Sequence, residues 1–203
     1  MKKLIPTLVL SLIIIFKVSI AETATVAPVY SSNPKMFVQE LIGDAISKLS
    51  DKNLTKEEKA NYVEIIAINN VDIDALGLYT LGELRKSTDK DSLKKYQIEF
   101  KKYFLKSLTS RLTDYSSNKF EVIAAEKKSS NYTIVSSKII AGNNQPEIKI
   151  DWRIYTKNPE KPLIRDLIIE GLSLARTQKE EFLSVLNSND GDINALFKTL
   201  KEF

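Results

Sequence analysis

The spacing of hydrophobic positions changes once along this chain, near Ser116. Before it, apolar residues recur every three or four positions; after it, they alternate. Asn33 followed by Pro34 marks a helix start, and Phe37, Leu41, Ile42, Ala45, Ile46 and Leu49 continue it at helical spacing. Thr55 and Glu58 form a capping box for a second helix bearing Tyr62, Val63, Ile65 and Ile66, interrupted at Asn69 and Asn70. Asp72 or Asp74 caps a third over 75–86. There Leu76, Leu78, Tyr79, Leu81 and Leu84 occupy more than one face, as in a central core helix, or one touching core on one side and an apolar ligand on another. Thr88 to Asp91 opens a long helix to about Tyr115. Its stripe is Leu93, Tyr96, Phe100, Tyr103, Phe104, Leu108, Leu112 and Tyr115. Lys94, Lys95, Lys101, Lys102 and Lys106 crowd the other face, which is either simply solvated or meets lipid headgroups or an acidic partner.

The second half alternates with period two. Residues 119–125 and 131–141 read as strands, followed after the turn 142–146 by strands 147–155 and 163–170. In the third strand Ile148, Ile150, Trp152 and Ile154 share one face, and Glu147, Lys149, Asp151 and Arg153 share the other. The first face is therefore expected inside and the second in water. Gly171 breaks the ladder. Thr177 to Glu180 reads as a capping box opening a helix with Phe182, Leu183, Val185 and Leu186. A last short helix carries Ile193, Leu196, Phe197 and Leu200. The pattern predicts an α+β domain: a four-stranded antiparallel meander with helices covering one face.

The amino terminus changes the picture of charge. Lys2 and Lys3 precede an apolar run over 4–16, ended by Lys17, and Ser19 and Ala21 supply small residues before a cleavage site. Residues 1–21 read as a secretory signal peptide, 22–33 as a flexible leader, and 34–203 as a single domain. The formal charge is +4; removing the three lysines of the leader peptide leaves +1, no footprint for a nucleic acid. Cysteine and histidine are both absent. Disulfides, thiolate nucleophiles, histidine bases and Cys/His metal sites are thereby excluded. No cysteine follows the apolar run to carry a lipoprotein anchor, and export without cysteine suits a bacterial periplasm.

Little catalytic chemistry remains. Asp151, Asp166 and Glu170 fall on adjacent candidate strands. One of them, buried in a cavity, could serve as a general base. Equally, they pair with Arg153 and Arg165 or cap turns.

The run Ile150-Asp-Trp-Arg-Ile154, the run from Asp166 through Glu170, Gly171 and Ser173 to Leu174, and Thr177 to Phe182 resemble the MlaC family of toluene-tolerance proteins. The resemblance covers roughly residues 34–200. It departs at Pro162 and Arg165, where aromatics are common, and at Gln178 and Lys179, in place of a Tyr-Arg pair. It implies a nuclear-transport-factor-like curved sheet packed against an N-terminal helical layer and C-terminal helices, with an apolar cavity between. It also implies a periplasmic phospholipid carrier serving an outer-membrane lipoprotein complex and an inner-membrane ABC transporter with its substrate-binding ring. Cargo phospholipid replaces any cofactor or metal, and the carrier is expected to be a monomer. On this reading Leu76, Leu81, Phe100, Phe104, Ile134, Ile150, Trp152, Ile154, Leu167, Ile169, Leu172 and Leu174 are the candidate lining of the tail cavity, with the headgroup near its mouth. The competing readings are a small exported enzyme with a carboxylate base, and an exported domain whose core is fully packed.

Overall fold

The computed structural model describes residues 27–112, 119–140 and 147–203. The expected signal peptide and the first residues of the leader lie outside the described residues, as do 113–118 and 141–146, on which the expected end of the long helix near Tyr115 and the expected turn 142–146 fall.

Among the described residues four α-helices and one 3-10 turn precede the sheet. Helix α1 (Pro34–Ser50) starts where Asn33 Oδ1 accepts the N–H groups of Lys35 and Met36, at 3.0 and 3.2 Å. Helix α2 (Lys56–Asn70) carries the complete capping box of Thr55 and Glu58. Asp72, not Asp74, caps α3 (Ile73–Thr80). That helix is shorter than its sequence pattern: a 3-10 turn, Gly82–Lys86, takes over, entered through Gly82 at φ +61°. A left-handed residue cannot continue an α-helix, and glycine adopts it without a Cβ clash. Asp89 then accepts from the N–H groups of Asp91 and Ser92, opening α4 (Lys90–Leu112).

The sheet is an antiparallel meander of β1 (Phe120–Lys127), β2 (Tyr132–Ile139), β3 (Ile148–Tyr155), β4 (Leu163–Ile169) and β5 (Leu172–Ser173). The fifth strand has only two residues and adds one edge to the expected four. It returns through a tight turn with Glu170 at φ +48° and Gly171 at φ +82°. Helices α5 (Leu174–Asn187) and α6 (Ile193–Glu202) complete the chain. Helix α5 begins three residues before the capping box read at Thr177. Ser173 is the cap, accepting from Arg176 N–H, and Thr177 bonds back to the Ser173 carbonyl from inside the helix.

Two cores hold these parts. One is helical: Leu81, Tyr96, Phe100, Phe182, Leu186, Leu196 and Phe197 join α3, α4, α5 and α6. The other seats α1 on the sheet through Phe37, Val38 and Leu41 against Val135, Ile150, Trp152, Ile154 and Ile164. Trp152 satisfies its buried Nε1–H on Ser137 Oγ at 2.8 Å, and Ser137 in turn donates to the Ile150 carbonyl. Tyr30, ahead of α1, is tied down as well. It meets the Phe37 ring edge-on and donates to Asp44, which also accepts from the Tyr62 hydroxyl. Burial and the Asp44 hydrogen bond together push the Tyr62 pKa up to about 12.

The helices therefore do not cover one face only. Helix α1 packs on one side of the sheet, while α3 and the start of α5 stand over the other. Two separate helical layers are needed because β2 and β4 carry apolar residues on both faces, such as Ile134 beside Val135 and Ile168 beside Leu167.

Candidate functional site

Strand parity decides which residues meet each layer. Along β3, Ile150, Trp152 and Ile154 turn toward α1, so Asp151 and Arg153 turn away from it. They face a cavity of about 970 Å³. Its sheet wall comprises Tyr132, Ile134 and Ser136 of β2, Asp151 and Arg153 of β3, and Arg165 and Ile168 of β4. The opposing wall is Ala75, Leu76, Leu78 and Tyr79 of α3, with Ala175 from the first turn of α5. Glu126, Lys128 and Ser129 from the β1–β2 hairpin and Arg85 from the 3-10 turn complete it.

The register orders this wall from a cation-rich end to a mixed one. Tyr132 lies opposite Tyr155, which lies opposite Leu163, at the end of the sheet where the β1–β2 hairpin turns. Lys128, Ser129, Arg153 and Arg165 gather toward that end. Ser136, Asp151 and Ile168 form a row farther along, near β5 and the start of α5.

Most of the charge is neutralised within the wall. Arg165 lies with its guanidinium carbon 3.4 Å from the Tyr155 ring centre, bonds Asp72 through Nε at 2.8 Å and Nη2 at 2.7 Å, and donates from Nη1 to the Tyr132 hydroxyl. Burial opposes its charge, but the bonds to Tyr132 and Asp72 outweigh that and raise its pKa. The bridge also fastens the entry of α3 to β4, where Asp72 N–H bonds the Ile164 carbonyl. Asp166 is almost wholly buried. Its Oδ2 accepts from Ser173 Oγ at 2.6 Å and meets Arg153 Nη1 at 3.3 Å, and its Oδ1 accepts the Ala175 N–H at 3.0 Å. Both oxygens are committed to holding β4, β5 and α5 together. Glu170 sits in the turn, accepting the Lys149 N–H. Of the three carboxylates, only Asp151 lines the cavity. Among the described residues no group of three or more acidic side chains is placed to hold a metal ion.

Of the twelve lining candidates, Leu76 and Ile134 stand on the cavity wall. Leu81 and Phe100 lie in the helical core, with Phe104 packed against it. Ile150, Trp152 and Ile154 belong to the core under α1, and Leu167 and Ile169 pack against that core. Leu172 and Leu174 are 68% and 41% exposed at the β5–α5 junction. The wall instead uses residues of the opposite phase, notably Arg153, Arg165, Ile168 and Tyr132, together with Leu78, Tyr79 and Arg85. The signal for them was present in β2 and β4, where both phases are apolar, so neither face could be left bare to water.

The fold and site thus define an α+β protein with an open, ligand-sized cavity between an antiparallel sheet and a short helix. The family model described as "MlaC protein" matches residues 39–202. The chain is 24% identical over 194 residues to the intermembrane phospholipid transport system binding protein MlaC of Haemophilus influenzae, covering 92% of this chain and 86% of that one. A phospholipid-binding protein of Ralstonia solanacearum, solved in complex with a phospholipid, shares the fold with a TM-score of 0.63. The match covers 81% of this chain and 93% of that one at 19% identity. This chain belongs to the MlaC family.

Proposed function

We propose that this protein is a periplasmic phospholipid carrier. It shuttles lipid between the outer- and inner-membrane complexes of an Mla-type ABC transport system and so maintains outer-membrane lipid asymmetry. The observation that carries the reading is a cavity of about 970 Å³ in a member of the MlaC family, bounded by Leu76, Leu78, Ile134 and Ile168 and flanked by charged side chains toward one end. The two relatives named above are described as binding phospholipid or serving its transport.

The physical demand is set by the tails. Each methylene withdrawn from water is worth about 0.8 kcal/mol, so a tail of a dozen or more carries on the order of 10 kcal/mol. A diacyl lipid does not cross an aqueous compartment unaided at that cost. A carrier must match the bilayer's gain without greatly exceeding it, or it will not release. An open, partly polar cavity meets both conditions. It shields tails along α3 and leaves the charged end of the lipid near water. Acyl chains would lie against Leu76 and Ile134, while the other candidate residues hold the walls from behind. Among the described residues no helix is long and apolar enough to cross a membrane.

Native mass spectrometry of protein purified from the periplasm without detergent, followed by lipid extraction, tests the reading. Co-purifying phospholipid at one per chain is expected. A bare polypeptide mass, unchanged after incubation with phospholipid vesicles, would overturn it.

A further inference from the structure

Helix α4 concentrates positive charge that the rest of the chain does not share. Between Lys90 and Leu112 it carries seven basic and two acidic residues, a net of +5. Residues 22–203 together carry only +1, so everything in them outside this helix nets −4. The charge is also sided. Tyr96, Phe100 and Leu105 are buried, while Lys94, Lys95, Lys101, Lys102 and Lys106 are exposed. Lys102 pairs with Glu99 at 3.2 Å, and Lys95 lies 4.3 Å from the centre of the Phe197 ring, a contact that leaves its charge uncancelled. Lys94, Lys101 and Lys106 meet no carboxylate among the described residues. An apolar side chain stands in the middle. Ile98 is 48% exposed, and Lys94, Lys95, Lys101 and Lys102 are three or four positions away from it, the spacing of neighbours on a helix surface. Toward α6, Phe203 is 45% exposed against Tyr103, in a shallow hollow shared with Lys102, Lys106 and Lys201.

We infer that this face of α4 docks the protein on an anionic phospholipid surface, with the lysines among the headgroups and Ile98 seated between them. The residue type favours lipid over an acidic protein. Apart from Arg111 in the last turn, every cation of the helix is a lysine. Protein interfaces are enriched in arginine, whose rigid fork suits a fixed partner, and depleted in lysine. Flexible point charges around an exposed apolar residue suit a layer of mobile phosphates, where each contributes without fixed geometry. The face also leaves the cavity free. Gly77 of α3 packs against the Phe100 ring of α4, while Leu76, Leu78 and Tyr79 line the cavity, so α4 lies behind its helical wall. A protein resting on α4 keeps the cavity unobstructed by the bilayer. This docking goes beyond the carrier reading and does not depend on it.

The test is flotation of the mature protein with vesicles of phosphatidylcholine alone and of equal parts phosphatidylcholine and phosphatidylglycerol. It is run at low salt and in about 1 M salt, where charges are screened within about 3 Å. Binding to the anionic vesicles alone, lost at high salt, is expected. Each lysine at an anionic surface is worth about fivefold in affinity, so the triple variant Lys94→Gln, Lys101→Gln, Lys106→Gln should bind about a hundredfold more weakly. Those substitutions break no ion pair among the described residues. The triple variant Lys52→Gln, Lys157→Gln, Lys161→Gln removes the same charge from other exposed positions and should bind as the wild type does. Ile98→Ser should weaken binding by about threefold. No binding to anionic vesicles would overturn the docking and leave the face to an acidic protein; equal losses in the two triple variants would overturn it as well. Undiminished binding by Ile98→Ser would overturn the seating of that residue. Phospholipid loading, counted by native mass spectrometry, should be the same in the α4 triple variant as in the wild type. Its loss there would put these lysines to work on the cargo and overturn the docking role. Its absence from the wild type would strike the carrier reading and leave the flotation result standing.

Discussion

The two faces of the sheet are built from the same strands and do opposite work. Toward α1, Val135, Ile150, Trp152, Ile154 and Ile164 are buried against Phe37, Val38 and Leu41, and the one buried indole N–H has its acceptor. Toward α3, the next residues along the same strands meet a space of about 970 Å³ and mix Ile134 and Ile168 with Asp151, Arg153 and Arg165. The first face spends its apolar area on stability. The second is kept from collapsing because its charged residues are anchored in pairs, Arg165 to Asp72 and Arg153 to Asp166, and α3 is pinned at Asp72 and again where Thr80 and Tyr96 share a hydrogen bond. The carrier proposed above would need both, a packed face to survive emptying and an unpacked face to be filled.

The contrast breaks most sharply at Trp152. Trp152→Ala removes a large side chain from the packed face and strands Ser137, so a loss of about 3–5 kcal/mol is expected in urea denaturation. Ile150→Asp should likewise fail by unfolding rather than by emptying the cavity, because Ile150 is buried under α1. Next comes Asp166→Ala. It uncaps Ala175, strands Ser173 and leaves Arg153 unpaired. The expected cost is about 2–3 kcal/mol, discounted because Arg153 is itself 43% exposed on its side chain. On the open face, Ile134→Asp should change stability by less than about 1 kcal/mol yet reduce phospholipid occupancy tenfold or more, read by native mass spectrometry.

The helix starts were legible in the sequence because capping is local: Asn33, Thr55 and Asp72 act on N–H groups two or three residues ahead. The meander was legible because the alternation is clean in β3. The start of α5 was not, since Ser173 is selected as the cap by Asp166, seven residues earlier on another strand, while Thr177 and Glu180 imitate a capping box inside the helix. The cavity wall differs from the expected lining for a related reason. Period two separates two faces but does not say which one meets a helix and which one meets a space. The fully apolar phase of β3 went to the packed side, and the charged phase, which reads as solvent-facing, lines the cavity.

The smallest effect concerns the anchor ahead of α1. Tyr62 holds its proton more tightly folded than unfolded, its pKa pushed up to about 12 by burial and by Asp44. That contribution is full below the ordinary tyrosine value of about 10 and is lost as pH rises through about 12. Melting temperatures from pH 9 to 12 should therefore fall more steeply for the wild type than for Tyr62→Phe.

The most direct measurement is photocrosslinking with a phospholipid carrying a diazirine in its acyl chain, followed by mapping of the labelled residues. Label on Leu76, Leu78, Ile134 and Ile168 is expected, all on the side of the sheet facing α3. Label concentrated on Phe37, Val135, Ile150 and Trp152 would place the cargo between the sheet and α1 and contradict the division of labour described here.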